Sequence, residues 1–308
     1  NAIRQPAVSG QFYPGNPGEL KTTITEQLSA AVVSNKRIPK AIIAPHAGYI
    51  FSGPIAATAY KRLTFVRNII TRVVLLGPCH RVPVRGLALS SAEAFATPLG
   101  NVKLDTQAIA KISRLPQVDI FDETHRLEHS LEVHLPFLQT VLGTFTLVPL
   151  VVGEASPESI AEVLNTIWGK EETLIIVSSD LSHYLDYNSA RKIDAETSKA
   201  IESLDPDKIA RQGACGRFPV GGLLKLAKQR GMTVDTVDLR NSGDTAGPKD
   251  RVVGYGAWLF FEPITRTMGA PKSLASAIIW GRTIKRAAIV DREKKENEAI
   301  PITVAKKV

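Results

Sequence analysis

The sequence predicts an α/β fold, a layered α/β/α sandwich around a mixed, mainly parallel sheet. Short β-branched, apolar runs without polar alternation recur along the chain, as expected of strands buried on both faces. Segments with helical spacing separate them, and such alternation is the mark of a layered α/β domain. The run Val252–Phe261 follows Arg240 after a short connection, which makes part of the sheet antiparallel.

In chain order, the strand runs are 41–44, 72–76, 145–148, 173–177, 232–237 and 252–261. Helices are expected over 19–33, 54–63, 106–114, 157–168, 190–204 and 221–230. Ser156 ahead of Pro157 reads as an N-cap followed by proline at the first helical position. The stretch 133–153 lacks Asp, Glu, Lys and Arg and is long enough to raise the membrane question. Pro136, Gly143 and Pro149 break it into a helix, a turn and a buried strand, so no transmembrane segment is expected.

The chain has 308 residues, 44% hydrophobic and 22% charged, with a net charge of +8. This composition excludes disordered and collagen-like classes. The positive charge invites a polyanion partner until it is located. Residues 263–308 hold ten basic and four acidic side chains, leaving only +2 for residues 1–262. The expected organisation is therefore a site domain over 1–262 and a basic C-terminal extension over 263–308, helical or disordered. Nucleic acid carries no strong signal in the site domain. Two cysteines and no apolar leader fit a cytoplasmic protein.

All six histidines fall between positions 46 and 183. His46, His80 and His183 each follow a strand run closely, and Asp244 follows the run that ends near Leu239. Parallel strands would bring these loops to one sheet edge, where α/β folds build ligand sites. Two histidines and a carboxylate on one face form the open set of non-haem Fe(II) sites. His46, His80 and Asp244 are the candidate ligands of a divalent metal, and His183 is left for proton transfer. The bland alternative is that these histidines satisfy loop carbonyls or cap helices. The stretch 125–134 is dense in titratable groups: on one helix Glu128 and Glu132 would share a face, as would His125 and His129. It reads either as support for metal-bound imidazoles or as a solvated face paired to Arg126. Cys79 and Cys215 could be thiolate ligands or nucleophiles, although such cysteines are more often buried hydrophobes. Phe12 and Tyr13 could wall a ligand site or pack as an ordinary N-terminal segment.

Several segments together resemble the Memo-like family, whose bacterial and archaeal members are called AmmeMemoRadiSam system protein B. They are Pro6–Pro14, Pro45–Gly53, Gly77–His80, Glu128–Phe137, Ser178–Tyr184 and Cys215-Gly216, in family order. The resemblance implies a fold similar to class III extradiol dioxygenases, which cleave catecholic rings with Fe(II) and O₂. It implies His46 and His80 as metal ligands, His183 as the acid/base, and a third ligand near Asp244. His129, Glu132, Asp180, Tyr13 and Cys215 are expected to bind substrate or support the ligands. With Asp244 as third ligand, Fe(II) is favoured over the softer Cu, with Zn a further option. The resemblance also implies association with radical-SAM and AMMECR-domain proteins. The expected function is a dioxygenase-like redox enzyme for a small aromatic substrate, the alternative a metal-, phosphopeptide- or anion-binding protein without turnover.

Overall fold

A computed structural model of the chain describes residues 2–264 apart from Lys36. The body of the extension expected over 263–308 lies outside the described residues. Among them the strands are β1 (Ile3–Arg4), β2 (Ala41–Ala44), β3 (Arg72–Pro78), β4 (Leu87–Leu89), β5 (Ala94–Thr97), β6 (Gly100–Lys103), β7 (Val118–Ile120), β8 (Thr146–Val152), β9 (Thr173–Ser178), β10 (His183–Leu185), β11 (Thr233–Asn241) and β12 (Val252–Phe261). The helices are α1 (Pro17–Ala30), α2 (Tyr49–Tyr60), α3 (Thr106–Ile112), α4 (Asp122–Arg126), α5 (Leu135–Leu142), α6 (Pro157–Thr166), α7 (Tyr187–Glu202) and α8 (Arg217–Gln229).

The main sheet runs β12-β2-β9-β3-β8-β4-β7, with β10 and β11 both paired to β12. Its centre, β2-β9-β3-β8, is parallel, while β12 is antiparallel to β2 and β4 is antiparallel to β8. The sheet is therefore mixed and mainly parallel at its core. The small sheet β1-β5-β6 lies apart from it in the pairing.

The central strands read as unbroken apolar runs because both faces are covered. Ile42, Val73, Leu75 and Ile176 join Leu20 and Ile24 of α1, Ile55 of α2 and Leu138 of α5 in one core. Ile43, Val74, Leu76 and Ile175 join Ile112 of α3, Ile160 of α6 and Leu223 of α8 in the other. Each large aliphatic side chain buried this way contributes about 1.5–3 kcal/mol. The α/β/α layering follows directly from these two cores.

Two elements differ from the sequence reading. The second helix begins at Tyr49, so Pro54 sits inside it and not at its start. The helix begins early because the Tyr49 N–H donates to Phe12 O at 2.8 Å, while the Phe51 and Ser52 N–H groups donate to Gly48 O. Residues 125–134, in turn, do not form one helix. The segment ends α4 at Arg126, turns, and forms a short 3₁₀ turn over Glu132–His134 before α5. Glu128 causes the break, its carboxylate accepting the N–H groups of His129 and Ser130 in place of helix carbonyls. Stretch 133–153 resolves as expected, with Gly143 at φ +79° ending α5 before β8. Among the described residues, no helix is long and apolar enough to cross a membrane.

Candidate metal centre

The site lies past the carboxyl ends of β2, β9 and β3, three adjacent parallel strands. His46 follows β2, Ser178 ends β9 with Asp180 just beyond it, and His80 follows β3. Strands are about 4.8 Å apart, so His46 and His80 start two spacings apart and lean together over β9. Their ring centroids come to 5.1 Å. Cys215 arrives from the loop before α8, and one ligand atom from each of His46, His80 and Cys215 lies within 4.8 Å of the others.

Each histidine is held by its Nδ1. His46 Nδ1 pairs with Ser178 Oγ at 2.6 Å, and its backbone N–H donates to Asp180 Oδ1 at 2.8 Å. Its Nε2 then faces Cys215 Sγ at 3.4 Å. His80 Nδ1 pairs with Glu128 Oε1 at 2.7 Å, and its backbone N–H donates to Glu128 Oε2 at 2.6 Å. A ligand imidazole whose other nitrogen is held by a carboxylate or hydroxyl is the usual supporting arrangement of metal sites. Cys215 is positioned through its backbone: its N–H donates to Asp180 O at 3.1 Å, and the Asp180 N–H points at its sulfur at 3.3 Å. Gly216 makes this approach possible, because a Cβ there would meet Ser178 O at 2.5 Å.

Burial favours the uncharged form of His46 and His129. Burial, reinforced by the neighbouring histidines, drives the His46 pKa well below the usual imidazole value. Burial and His80 bring His129 down to about 4. For Glu128, burial opposes ionisation, but the hydrogen bonds and charge of His80 prevail and pull its pKa to about 2. Burial pushes Asp180 up to about 7 against the hydrogen bond from His46 N–H. It also pushes the Cys215 thiol up, with Asp180 adding to the effect. Metal coordination opposes that last shift by favouring thiolate.

A second group, His80, Glu128 and His129, also converges. Its Glu128 already accepts four N–H groups, from His80 (two), His129 and Ser130, so it serves as the anchor of His80. His129 stacks on His80 with ring centroids 4.6 Å apart and meets the Phe12 ring at 4.7 Å, which places Phe12 next to the histidine cluster.

The structure does not bring Asp244 into the cluster. One Asp244 oxygen accepts the Asn241 N–H at 3.0 Å in a capping box, and the other accepts the Tyr187 hydroxyl at 2.5 Å. Its strand, β11, sits beyond β12, four strand spacings from β3 or roughly 19 Å. Cys215 stands in the third place instead. Glu132 and Tyr13 also act away from the ligand atoms. The Glu132 carboxylate accepts Arg4 Nη1, the Ala7 and Val8 N–H groups and the Tyr13 hydroxyl, clamping the N-terminal segment that carries Phe12. The solvated-face reading of 125–134 fails, since His125, Glu128, Glu132 and His134 are buried and Arg126 pairs with Glu123. Cys79 turns its thiol to Val82 O, outside the ligand groups.

His183 lies close enough to lower the His46 pKa. Its Nδ1 pairs with Leu181 O at 2.8 Å, Nε2 has no hydrogen-bond partner among the described residues, and partial desolvation lowers its own pKa. The following residue, Tyr184, has φ +62°, a left-handed backbone that costs a side-chain-bearing residue about 1–3 kcal/mol. Sequence reasoning missed Ser178 as the holder of His46 and His134 behind it. Its only available signal was serine at the last position of a buried strand.

Fold and site together define a layered α/β protein with histidine and cysteine ligand atoms converging at the carboxyl edge of its parallel strands. The chain belongs to the Memo-like family: the Memo-like protein model matches residues 4–259. A MEMO1 family protein of Aquifex aeolicus is 37% identical over 269 residues, covering 84% of this chain and 99% of the relative. One from Sulfolobus acidocaldarius is 34% identical over 277 residues, covering 82% and 97%. Among solved structures, the uncharacterized protein JW3007 of Escherichia coli K12 superposes at a TM-score of 0.45 with 12% identity, over 72% of this chain and 100% of that one.

Proposed function

We propose that this chain is a metal-dependent, dioxygenase-like redox enzyme acting on a small aromatic, catechol-like substrate, with His46, His80 and Cys215 holding its metal. The observation that carries the reading is the convergence of those three ligand atoms, with both imidazoles already held at Nδ1. Two imidazoles and a thiol suit a transition ion, and the thiolate makes the set softer than two histidines and aspartate. That moves the expectation from Fe(II) favoured over copper to iron or copper alike, with zinc as the redox-silent option.

A bound ion would supply Lewis acidity and, for iron or copper, electron transfer. The chain supplies the rest. His183 presents an Nε2 with no partner among the described residues, and partial desolvation favours its neutral form, so it is placed to accept a proton from a substrate hydroxyl. Phe12, seated on His129, offers an apolar face to an aromatic ring. Glu128 and Ser178 keep the two imidazoles from turning.

The test is metal analysis of anaerobically purified protein, followed by oxygen uptake with catechols and aminophenols. His46→Ala and His80→Ala are expected to lose the metal, whereas His183→Ala keeps it and loses turnover. If iron- and copper-loaded protein take up no oxygen with any such substrate, the enzyme reading fails. The second reading is then a metal-holding protein without turnover, which the thiol in place of a carboxylate favours.

A further inference from the structure

Behind His46 runs a line of polar groups that the proposed chemistry does not use. Ser178 Oγ pairs with His46 Nδ1 at 2.6 Å and with His134 Nε2 at 2.7 Å, and His134 Nδ1 pairs with the Tyr60 hydroxyl. All four residues are at most 1% exposed. Phe137 stacks on the Tyr60 ring at 5.3 Å and helps close the far end. The Tyr60 hydroxyl has no other hydrogen-bond partner among the described residues.

The chain holds four mobile hydrogens, one each on Tyr60, neutral His134, Ser178 and neutral His46, and three links to fill. In one direction Tyr60 donates to His134, His134 to Ser178 and Ser178 to His46 Nδ1. The fourth hydrogen then sits on His46 Nε2, facing Cys215 Sγ at 3.4 Å. Every hydrogen has a partner, so this is the metal-free arrangement. If His46 Nε2 held a metal, its lone pair would be taken up and the neutral ring would carry its hydrogen on Nδ1. His46 then donates to Ser178, Ser178 to His134 Nε2, and His134 Nδ1–H to the Tyr60 oxygen. The count is four in both states, but in the second the Tyr60 hydrogen, whose hydroxyl bonds only to His134 among the described residues, is left without an acceptor, so the reversed direction is populated only when His46 Nε2 is occupied.

We infer that Ser178, His134 and Tyr60 are positioning residues that form a reversible hydrogen-bond chain, so that metal occupancy of the cleft is registered in the tautomer of buried His134. This rests on the proposed metal site. It goes further in making a residue that touches no ligand atom report on that site. An acceptor for Nδ1–H is what keeps a ligand histidine oriented and basic, and its loss typically weakens metal binding about 10–100-fold.

The experiment uses the full chain labelled with ¹⁵N-histidine, with Zn(II) as a diamagnetic probe. His134 is expected to change from the Nε2–H to the Nδ1–H form on zinc loading. In Tyr60→Phe it stays Nε2–H, because Nδ1–H would have no acceptor. Ser178→Ala is expected to bind zinc about 10–100-fold more weakly and to uncouple His134 from zinc, whereas Ser178→Thr, which keeps the hydroxyl, restores both. Circular dichroism checks that each variant is folded. A His134 tautomer unchanged by bound zinc, or Ser178→Ala binding zinc like the wild type, overturns the inference. If the wild type binds no zinc, iron or copper, the metal reading itself fails. The metal-free spectra still decide the chain: both His46 and His134 must be Nε2–H, and Ser178→Ala must change His46.

Discussion

Asp180 and Asp244 make an instructive pair. Both lie just past a strand at the same edge of the sheet, and each comes two residues after a serine, Ser178 or Ser242. Asp180, beyond β9, is buried between β2 and the Cys215 loop, with its carboxylate on the His46 N–H. Asp244, beyond β11, is exposed and caps its own turn. Lateral position in the sheet separates them. β9 lies between the strands that deliver His46 and His80, whereas β11 lies at the far side of β12. A shared sheet edge is therefore necessary for convergence but does not guarantee it.

The largest effect should come from exchanging the third ligand. Cys215→Ser is expected to weaken metal binding by more than the roughly 10–100-fold cost of losing a supporting residue. Asp244→Asn should leave metal content at the wild-type level, as read by elemental analysis. Retention of metal by Cys215→Ser together with loss by Asp244→Asn would reverse the comparison.

Next in size is Gly216→Ala. Its Cβ would press on Ser178 O and Ser179, forcing apart the backbones that hold Cys215 against β9. Overpacking of this kind costs about 1–3 kcal/mol, visible as a melting temperature several degrees lower. The metal affinity should fall with it, because the shift acts on the ligand loop.

A pH series sharpens the Asp180 side. His125 and His129 have pKa values of about 4, and His134 about 3, each lowered first by burial. Between about pH 4 and 6.5 the unfolded chain binds protons that these folded histidines refuse, so stability rises with pH across that window. Asp180 acts in the opposite sense. Its folded pKa of about 7 exceeds the unfolded value near 4, so it retains a proton the unfolded chain has lost, and it lowers stability as pH rises. Three histidines outweigh one aspartate. Urea midpoints of the metal-free protein should increase from pH 5 to pH 6.5, and the increase should be larger in Asp180→Asn. The smallest effect belongs to Asp244→Asn, where weakening one cap in an exposed turn costs about 0.5–1 kcal/mol.

Much of this was legible in the residues. Unbroken apolar runs marked the four central strands, because a strand covered on both faces needs no polar alternation. His46 and His80 were legible as loop histidines because they follow such runs closely. The stretch 125–134 was not, because its spacing suits a helix until Glu128 captures the N–H groups of His129 and Ser130. The side chains then fan out to separate partners: His125 to Ala88 O, Glu128 to His80, Glu132 to Arg4, and His134 to Ser178.

By itself the sequence determined the layered α/β class, the parallel centre of the sheet and the two histidines at its edge, since local pattern and short connections suffice for these. Only the tertiary structure decided which side chain joins His46 and His80 as the third candidate ligand, and the order of support behind His46. Strand order in a sheet is set by long-range pairing, and it places β12 between Asp244 and the cleft. Cys215 takes the position because Gly216 lets its loop lie directly on the end of β9.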